Sequence, residues 1–215
     1  FLVSGANGFV GRALCGLLAA RGCRVRALLH HEASGPWHEH VLCDLTNDRL
    51  YPQACEGIDG VFHLAGLAHV SGDYGKAQSA FWRVNVEGTQ TLLDSVKVAG
   101  VARFIYFSSV KAVGDPGDNC VDESWDAPPV DAYGRSKRAA EDLVLSAANQ
   151  QLDVSVLRPA LVYGPGVKGN LRRMIEGIVA GRFPPLPDWP NRRSMVSVSD
   201  LAEAAWLAMT NEAAS

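Results

Sequence analysis

Phe1-Leu2-Val3-Ser4-Gly5-Ala6-Asn7-Gly8-Phe9-Val10-Gly11 is the stretch whose reading decides the fold. An apolar run that reads as a strand meets glycines spaced Gly5-x-x-Gly8-x-x-Gly11, and a helical pattern follows over 13–20. In a strand–turn–helix unit such glycines let the backbone approach a pyrophosphate, whose charge then sits at the helix N-terminus. Elsewhere the same glycines would make an ordinary tight turn; the flanking strand and helix favour a dinucleotide site. Gly5, Asn7, Gly8, Phe9, Val10 and Gly11 are the candidate contacts.

Working outward, a second strand over 23–29 ends at Leu29-His30-His31. An acidic residue at that point accepts from the adenosine ribose and favours NAD, and an arginine favours NADP. This chain has neither. His30 lies near a 2′-phosphate or is a solvated loop residue, so the choice of NAD or NADP stays open. A third strand over 40–43 leads to Asp44-Leu45, where Asp44 either accepts from the adenine amino group or caps a helix. A fourth run, 60–66, ends in Leu64-Ala65-Gly66, small enough for a flat ring or ribose to pack close; His63 within it reads as a satisfied core histidine. Asn85 is expected to head a helix over 86–99, as a local cap or as a bridge to the next strand. That strand, over 101–107, ends at Ser108-Ser109, and a sixth over 153–157 runs into Arg158-Pro159 and the turn Tyr163-Gly164-Pro165-Gly166. Strands alternating with helical patterns predict an α/β fold with a parallel, doubly wound sheet of Rossmann type. Ligands of such sheets bind beyond the carboxyl ends of the strands, where the glycine turn, Asp44, Ala65-Gly66 and Ser109 all fall.

The chemistry is carried by 108–137. Asp131-Ala132-Tyr133-Gly134-Arg135-Ser136-Lys137 opens a helix, and residues four apart share a helix face. Tyr133 and Lys137 can therefore address one small volume, with Ser109 facing them from the strand end. The nearby ammonium is expected to lower the phenol's pKa. A serine that holds an oxygen beside a phenol that gives or takes a proton suits alcohol/ketone interconversion.

Composition narrows the classes. The chain of 215 residues is 47% hydrophobic with a formal net charge of −3, which speaks against a nucleic-acid-binding surface. No apolar stretch reaches the length of a membrane span. Five scattered cysteines without a Cys-x-x-Cys pair read as reduced thiols in a cytoplasmic protein, and six histidines offer no metal-ligand spacing. The chain opens on Phe1 inside a strand-like run and closes on a helical pattern over 200–209, which reads as part of a longer protein. Lys168, Arg172-Arg173 and Arg192-Arg193 gather positive charge near the end, as a grip on substrate phosphate or as solvated charge. Asn170 precedes a helix expected over 171–180, where it can serve as an N-cap.

Gly5-x-x-Gly8-x-x-Gly11, Ser109, Tyr133-x-x-x-Lys137 and Arg158-Pro159, in this order, make the chain resemble an extended short-chain dehydrogenase/reductase of the NAD-dependent epimerase/dehydratase family. The resemblance covers essentially the whole chain. It implies a catalytic set of Ser109, Tyr133 and Lys137, with Lys137 also holding the nicotinamide ribose. It adds Leu45, Leu64, Asn85, Ser108 and Pro159 to the cofactor contacts, and Lys111, Asn170 and Arg193 as substrate contacts. Residues 1–158 would form the NAD(P)-binding Rossmann domain, and 159–215 part of a smaller, here incomplete, substrate lobe interleaved with the last Rossmann elements. Ser108-Ser109-Val110-Lys111-Ala112-Val113-Gly114 and Asn191-Arg192-Arg193-Ser194 are similar to bacterial 4-ketoreductases of surface-polysaccharide biosynthesis that act on UDP-4-keto-6-deoxy-N-acetylhexosamines. A UDP-hexose or UDP-N-acetylglucosamine 4-epimerase with tightly held NAD is the alternative within enzymes, and a non-catalytic NAD(P)-binding sensor or scaffold the alternative outside them. The resemblance further implies a possible homodimer through a four-helix contact of the helices over 85–99 and 133–148.

Overall fold

A computed structural model describes residues 1–47, 52–68, 74–184 and 193–211. Asn191 and Arg192 lie outside the described residues. Six strands form one parallel sheet in the order β3-β2-β1-β4-β5-β6: β1 Leu2–Ser4, β2 Arg26–Leu29, β3 Glu39–Leu42, β4 Gly60–His63, β5 Arg103–Phe107 and β6 Asp153–Leu157. The order reverses at β1, the switch point at which such sheets open a crevice for ligands. Helices cover both faces, and this is why β1, β4 and β5 are apolar at successive positions rather than alternating with polar residues.

The pleat sorts those side chains into two cores. Leu2, Val61, Phe104 and Tyr106 point to one face, under Leu92, Leu93 and Val96 of α3 (Gly88–Ala99) and Ala140, Val144 and Ala147 of α4 (Ala132–Ala147). Val3, Phe62, Ile105 and Phe107 point to the other, against Leu14, Cys15 and Leu18 of α1 (Phe9–Ala20) and Leu201, Ala202 and Ala205 of α6 (Val198–Thr210). Each fully buried side chain of this size contributes about 1.5–3 kcal/mol. The last helix thus returns to the main sheet, where Arg103 Nη1 donates to the Met209 carbonyl at 2.8 Å. Between β6 and α6 come β7 (Leu161–Tyr163), α5 (Gly169–Val179) and β8 (Met195–Ser197), with β7 and β8 paired in a small parallel sheet of their own.

The helix expected to begin at Asn85 starts earlier. α2 (Tyr74–Trp82) runs through a π-helical turn, Arg83–Glu87, into α3 without a break. Asn85 is therefore inside a helix and caps nothing. α3 ends where Gly100 adopts a left-handed conformation. The helix expected over 171–180 is α5, with Lys168 at its N-cap position, so Asn170 is not the cap.

The parallel register sets Ser4, His63 and Tyr106 side by side across β1, β4 and β5. The buried imidazole is answered on both nitrogens, by Ser4 Oγ at 2.6 Å from Nδ1 and by Thr89 Oγ1 at 2.9 Å from Nε2. Ser4 Oγ accepts from the N–H groups of Leu64 and Ala65, and Thr89 donates to the Asn85 carbonyl. The serine proton thus goes to Nδ1, and Nε2–H donates to Thr89. His63 is neutral, its pKa drawn down to about 3 by burial and by the charge of Lys137.

Two predictions follow from these contacts. A methyl group on Gly11 would press into the Gly5 carbonyl oxygen and come within 2.9 Å of Ala6 Cα. Gly11→Ala is expected to cost about 1–3 kcal/mol, read as a lower thermal midpoint; an unchanged midpoint would refute the contact. The unfolded chain protonates His63 near its usual pKa while the folded chain does not, so stability is full above about pH 6.5 and falls with acidity at up to about 1.4 kcal/mol per pH unit. Urea unfolding at about pH 7 and about pH 4.5 should show a loss of roughly 2–3 kcal/mol from this group, absent in His63→Gln; parallel losses in both proteins would contradict it.

Candidate active site

β5 ends at Phe107, and the chain turns at once. Ser108 N–H donates to the Leu157 carbonyl at 2.7 Å and Val110 N–H to the Pro159 carbonyl at 3.2 Å, which pins this turn to the end of β6. Ser109 caps a 3-10 turn, Val110–Ala112, its Oγ accepting from Lys111 N–H at 3.2 Å. Asp131 caps α4 by accepting from Gly134 N–H at 2.7 Å. Gly134 packs on the Lys111 carbonyl with no room for a side chain, so the start of α4 lies directly on the serine turn. Close approach delivers Tyr133 to Ser109.

Tyr133 packs on Phe81 with ring centroids 5.7 Å apart. Burial raises the phenol's pKa, the hydrogen bond with Ser109 opposes the rise and Asp131 adds to it. One turn further, Lys137 is 4% exposed; its Nζ donates to the Phe107 carbonyl at 2.6 Å and lies 4.2 Å above the Tyr106 ring. Burial draws its pKa down to about 7, against the pull of Glu141. The expected lowering of the phenol's pKa is thus overturned: it is raised, and burial is the largest cause. The phenol is held as a proton donor.

Asn85 ties the helix beside the site together. Its Oδ1 accepts from Leu67 N–H at 2.7 Å, and its Nδ2 donates to the Leu67 carbonyl at 3.0 Å and to Ser136 Oγ at 2.9 Å. Ser136 in turn donates to the Tyr133 carbonyl at 2.7 Å. The bridge expected toward the catalytic strand runs instead to the loop after β4 and to α4. A π-helical turn of this kind commonly marks a functional site, and here it presents Asn85 inward.

The glycine turn fits a dinucleotide phosphate. Gly5 has φ 67°, and a Cβ there would lie 2.7 Å from Ala65 N, so turn and β4 loop meet backbone to backbone. Gly8 caps α1 without any side-chain hydrogen bond, so no side chain screens that helix end. Asn7 is exposed; Phe9 and Val10 are half-buried. Across the crevice, a Cβ on Gly66 would stand 3.2 Å from Asn85 Oδ1 and 3.8 Å from Lys137 Nζ, a gap floored by Leu64, Ala65 and Gly66. Ser108 is buried there with no hydrogen-bond partner for its hydroxyl among the described residues.

Asp44 accepts from Thr46 N–H, Thr46 Oγ1 and Asn47 Nδ2 at 2.9, 2.7 and 2.6 Å, and these bonds hold its pKa down to about 2. It braces its own turn and lies 3.3 Å from the exposed His30, whose ring stacks on His31. Leu45 packs against Gly88. Of the expected substrate contacts, Lys111 is exposed beside the serine turn, 4.0 Å from Asp131. Asn170 and Arg193 are exposed, and their side chains make no hydrogen bond or ion pair with the described residues. Arg172 is paired with Glu176 at 2.7 Å on α5, along a groove of about 290 Å³ that they line with Gly166, Val167 and Ile175. Among the described residues, no group of His, Cys, Asp or Glu could hold a metal ion, and no helix is long and apolar enough to cross a membrane.

Sequence reasoning passed over Glu141, the partner of Arg158. Glu141 is fully buried and gripped by Arg158, with Nε 3.0 and 3.2 Å from the two carboxylate oxygens and Nη2 2.7 Å from Oε2. The signal was present: Glu141 follows Lys137 by four residues, on the helix face that also buries Ala140 and Val144.

Comparison with known proteins agrees with this geometry. The NAD dependent epimerase/dehydratase family matches over residues 1–215. The solved structure of MoeE5 in complex with UDP-glucose and NAD is 31% identical, with a TM-score of 0.85 over 98% of this chain and 71% of that one. The UDP-glucose 4-epimerase of Vibrio cholerae is 32% identical over 94% of this chain and 64% of its own length. A putative dihydroflavonol 4-reductase of Synechocystis is 38% identical over 77% of this chain and 50% of its own. The chain spans about half to just under two thirds of the length of such curated relatives. With a six-stranded parallel sheet, a glycine turn at the switch point and Ser109, Tyr133 and Lys137 gathered at the end of β5, the chain belongs to the NAD dependent epimerase/dehydratase family.

Proposed function

We propose that this chain carries the cofactor site and acid–base residues of an enzyme that interconverts an alcohol and a ketone at C4 of a UDP-sugar. In its most specific form it is a 4-ketoreductase on a UDP-4-keto-6-deoxy-N-acetylhexosamine. The observation that carries this reading is the meeting of Tyr133 with Ser109 one helical turn before the buried Lys137, facing the crevice floored by Gly66. The solved structures it resembles are described as complexes with NAD and UDP-glucose or UDP-glucuronic acid, and its curated relatives include both an epimerase and reductases.

NAD or NADP would be held by the glycine turn, Gly5 to Gly11, by His30, Asp44 and Leu45 at the adenosine end, and by Leu64, Ala65, Gly66, Asn85, Ser108, Tyr133, Lys137 and Pro159 toward the nicotinamide. When bound, the cofactor supplies or removes the hydride. Ser109 donates a hydrogen bond to the ketone oxygen and orients it. Tyr133, kept protonated by burial, gives its proton to that oxygen as negative charge develops. The Lys137 ammonium, its pKa drawn down by burial, offsets the phenolate left behind. Lys111, Asn170 and Arg193 are the proposed contacts to the UDP-sugar, with Arg193 at a phosphate.

A 4-epimerase uses the same residues, and the Vibrio cholerae relative favours it as the second reading. The two separate on cofactor use. The reductase consumes added NADH or NADPH in proportion to a UDP-4-keto-6-deoxy sugar. The epimerase converts UDP-N-acetylglucosamine to its 4-epimer with no cofactor added. In the full-length protein, Tyr133→Phe is expected to lower kcat at saturating NADH by roughly two to four orders of magnitude. Near-normal turnover by that variant would overturn the role of Tyr133. Absence of both conversions in the wild-type protein would overturn the reading itself.

A further inference from the structure

We infer that Glu141, anchored by Arg158, is a positioning residue that keeps the Lys137 ammonium charged and aimed at the cofactor crevice. The inference rests on the reading above and extends it to a pair of residues that touch neither substrate nor cofactor.

Tyr133, Lys137 and Glu141 follow one another at four-residue spacing, so one face of α4 carries the phenol, the ammonium and a carboxylate in a line. Glu141 has no exposure to water. An isolated carboxylate in that place would take up a proton rather than stay charged. Arg158 prevents this by a fork of charge-assisted bonds to both oxygens. It reaches Glu141 from the end of β6, and the next residue, Pro159, accepts from Val110 N–H in the serine turn. One short segment thus anchors both the Ser109 turn and the carboxylate behind Lys137.

The titratable groups facing Lys137 are Tyr133 and Glu141 on its own helix, Tyr106 on β5 and His63 on β4. His63 is neutral, and the Tyr106 phenol is kept neutral by burial. Glu141 is the carboxylate of this set, held in an ion pair by Arg158. No direct ion pair of 4 Å or less joins it to Lys137 among the described residues, so it acts through space across a dry interior, where water does not screen it. A buried ion pair adds little stability over apolar residues of the same volume. Its position one turn behind the lysine has a better account in the field it supplies there.

The test uses the full-length protein and NADH as probe, with affinity read from nicotinamide fluorescence between about pH 6 and about pH 8. Glu141→Gln keeps the shape and removes the charge, so the Lys137 ammonium should be lost at lower pH. The ratio of variant to wild-type dissociation constants is expected to rise about fivefold or more across that range, as a shift of roughly one pH unit requires. A ratio that stays flat, whatever its size, is the mark of a merely structural role and overturns the inference while leaving the cofactor site standing. Should Glu141→Gln fail to fold, Glu141→Gln with Arg158→Met removes both buried charges together; the ratio is then expected to rise in the same direction by a smaller factor, and a flat ratio overturns the inference. Failure of the wild-type protein to bind NADH at any pH would instead remove the site and the inference with it.

Discussion

The bond from Lys137 Nζ to the Phe107 carbonyl, 2.6 Å long and buried, is the constraint on which the site depends. An ammonium taken out of water is costly, and the fold answers it with a strand-end carbonyl, the face of Tyr106 and the carboxylate of Glu141. That carbonyl is available because β5 stops at Phe107, where the chain turns away and Ser108 takes over the hydrogen bonding to Leu157. The end of the strand therefore fixes the lysine, the lysine fixes the rotation of α4, and α4 brings Tyr133 onto Ser109.

Around this bond the interior is polar, and apart from the hydroxyls of Tyr106 and Ser108 its buried side chains are paired. Ser4, His63, Thr89 and the Asn85 carbonyl form a chain of hydrogen bonds, which the Asn85 side chain continues to Leu67, Ser136 and the Tyr133 carbonyl. Networks of this kind specify one arrangement when every member is satisfied and are expensive when one is removed. The π-helical turn is what lets Asn85 take part: it rotates the following helix so that Asn85 and Thr89 both point inward. The glycine turn and the catalytic helix lie on strands and helices far apart in sequence, yet this network makes them one rigid body of contacts.

Much of this was readable in the sequence, for physical reasons. The strand over 153–157 was placed to the residue because apolar and β-branched residues there are bounded by Asp153 on one side and Arg158-Pro159 on the other. The glycine spacing announced a backbone contact that only glycine permits, and Gly5 and Gly11 make it. The histidine of β4 was recognised as a core residue, because an apolar strand leaves it nowhere else to go. The start of α2 was not legible, since 74–84 has a weak apolar stripe. Asn85 looked like a cap because Asn often is one, and only the tertiary pairing with Ser136 shows otherwise. The direction of the Tyr133 shift was misjudged because spacing reveals a neighbouring charge but not the loss of water around the phenol. Glu141 and Arg158 lie 17 residues apart, and nothing local joins them.

The central claim is that Tyr133, Ser109 and Lys137 serve oxidation and reduction at a sugar carbon beside a bound nicotinamide. The most direct measurement gives the full-length protein NADH or NADPH with a UDP-4-keto-6-deoxy-N-acetylhexosamine, and separately UDP-N-acetylglucosamine with no cofactor added, and follows nicotinamide absorbance and the sugar product. The account predicts that at least one of the two sugars is converted, the first with a proportional loss of reduced cofactor, and that Tyr133→Phe slows the conversion by roughly two to four orders of magnitude. A protein that converts neither sugar would contradict it.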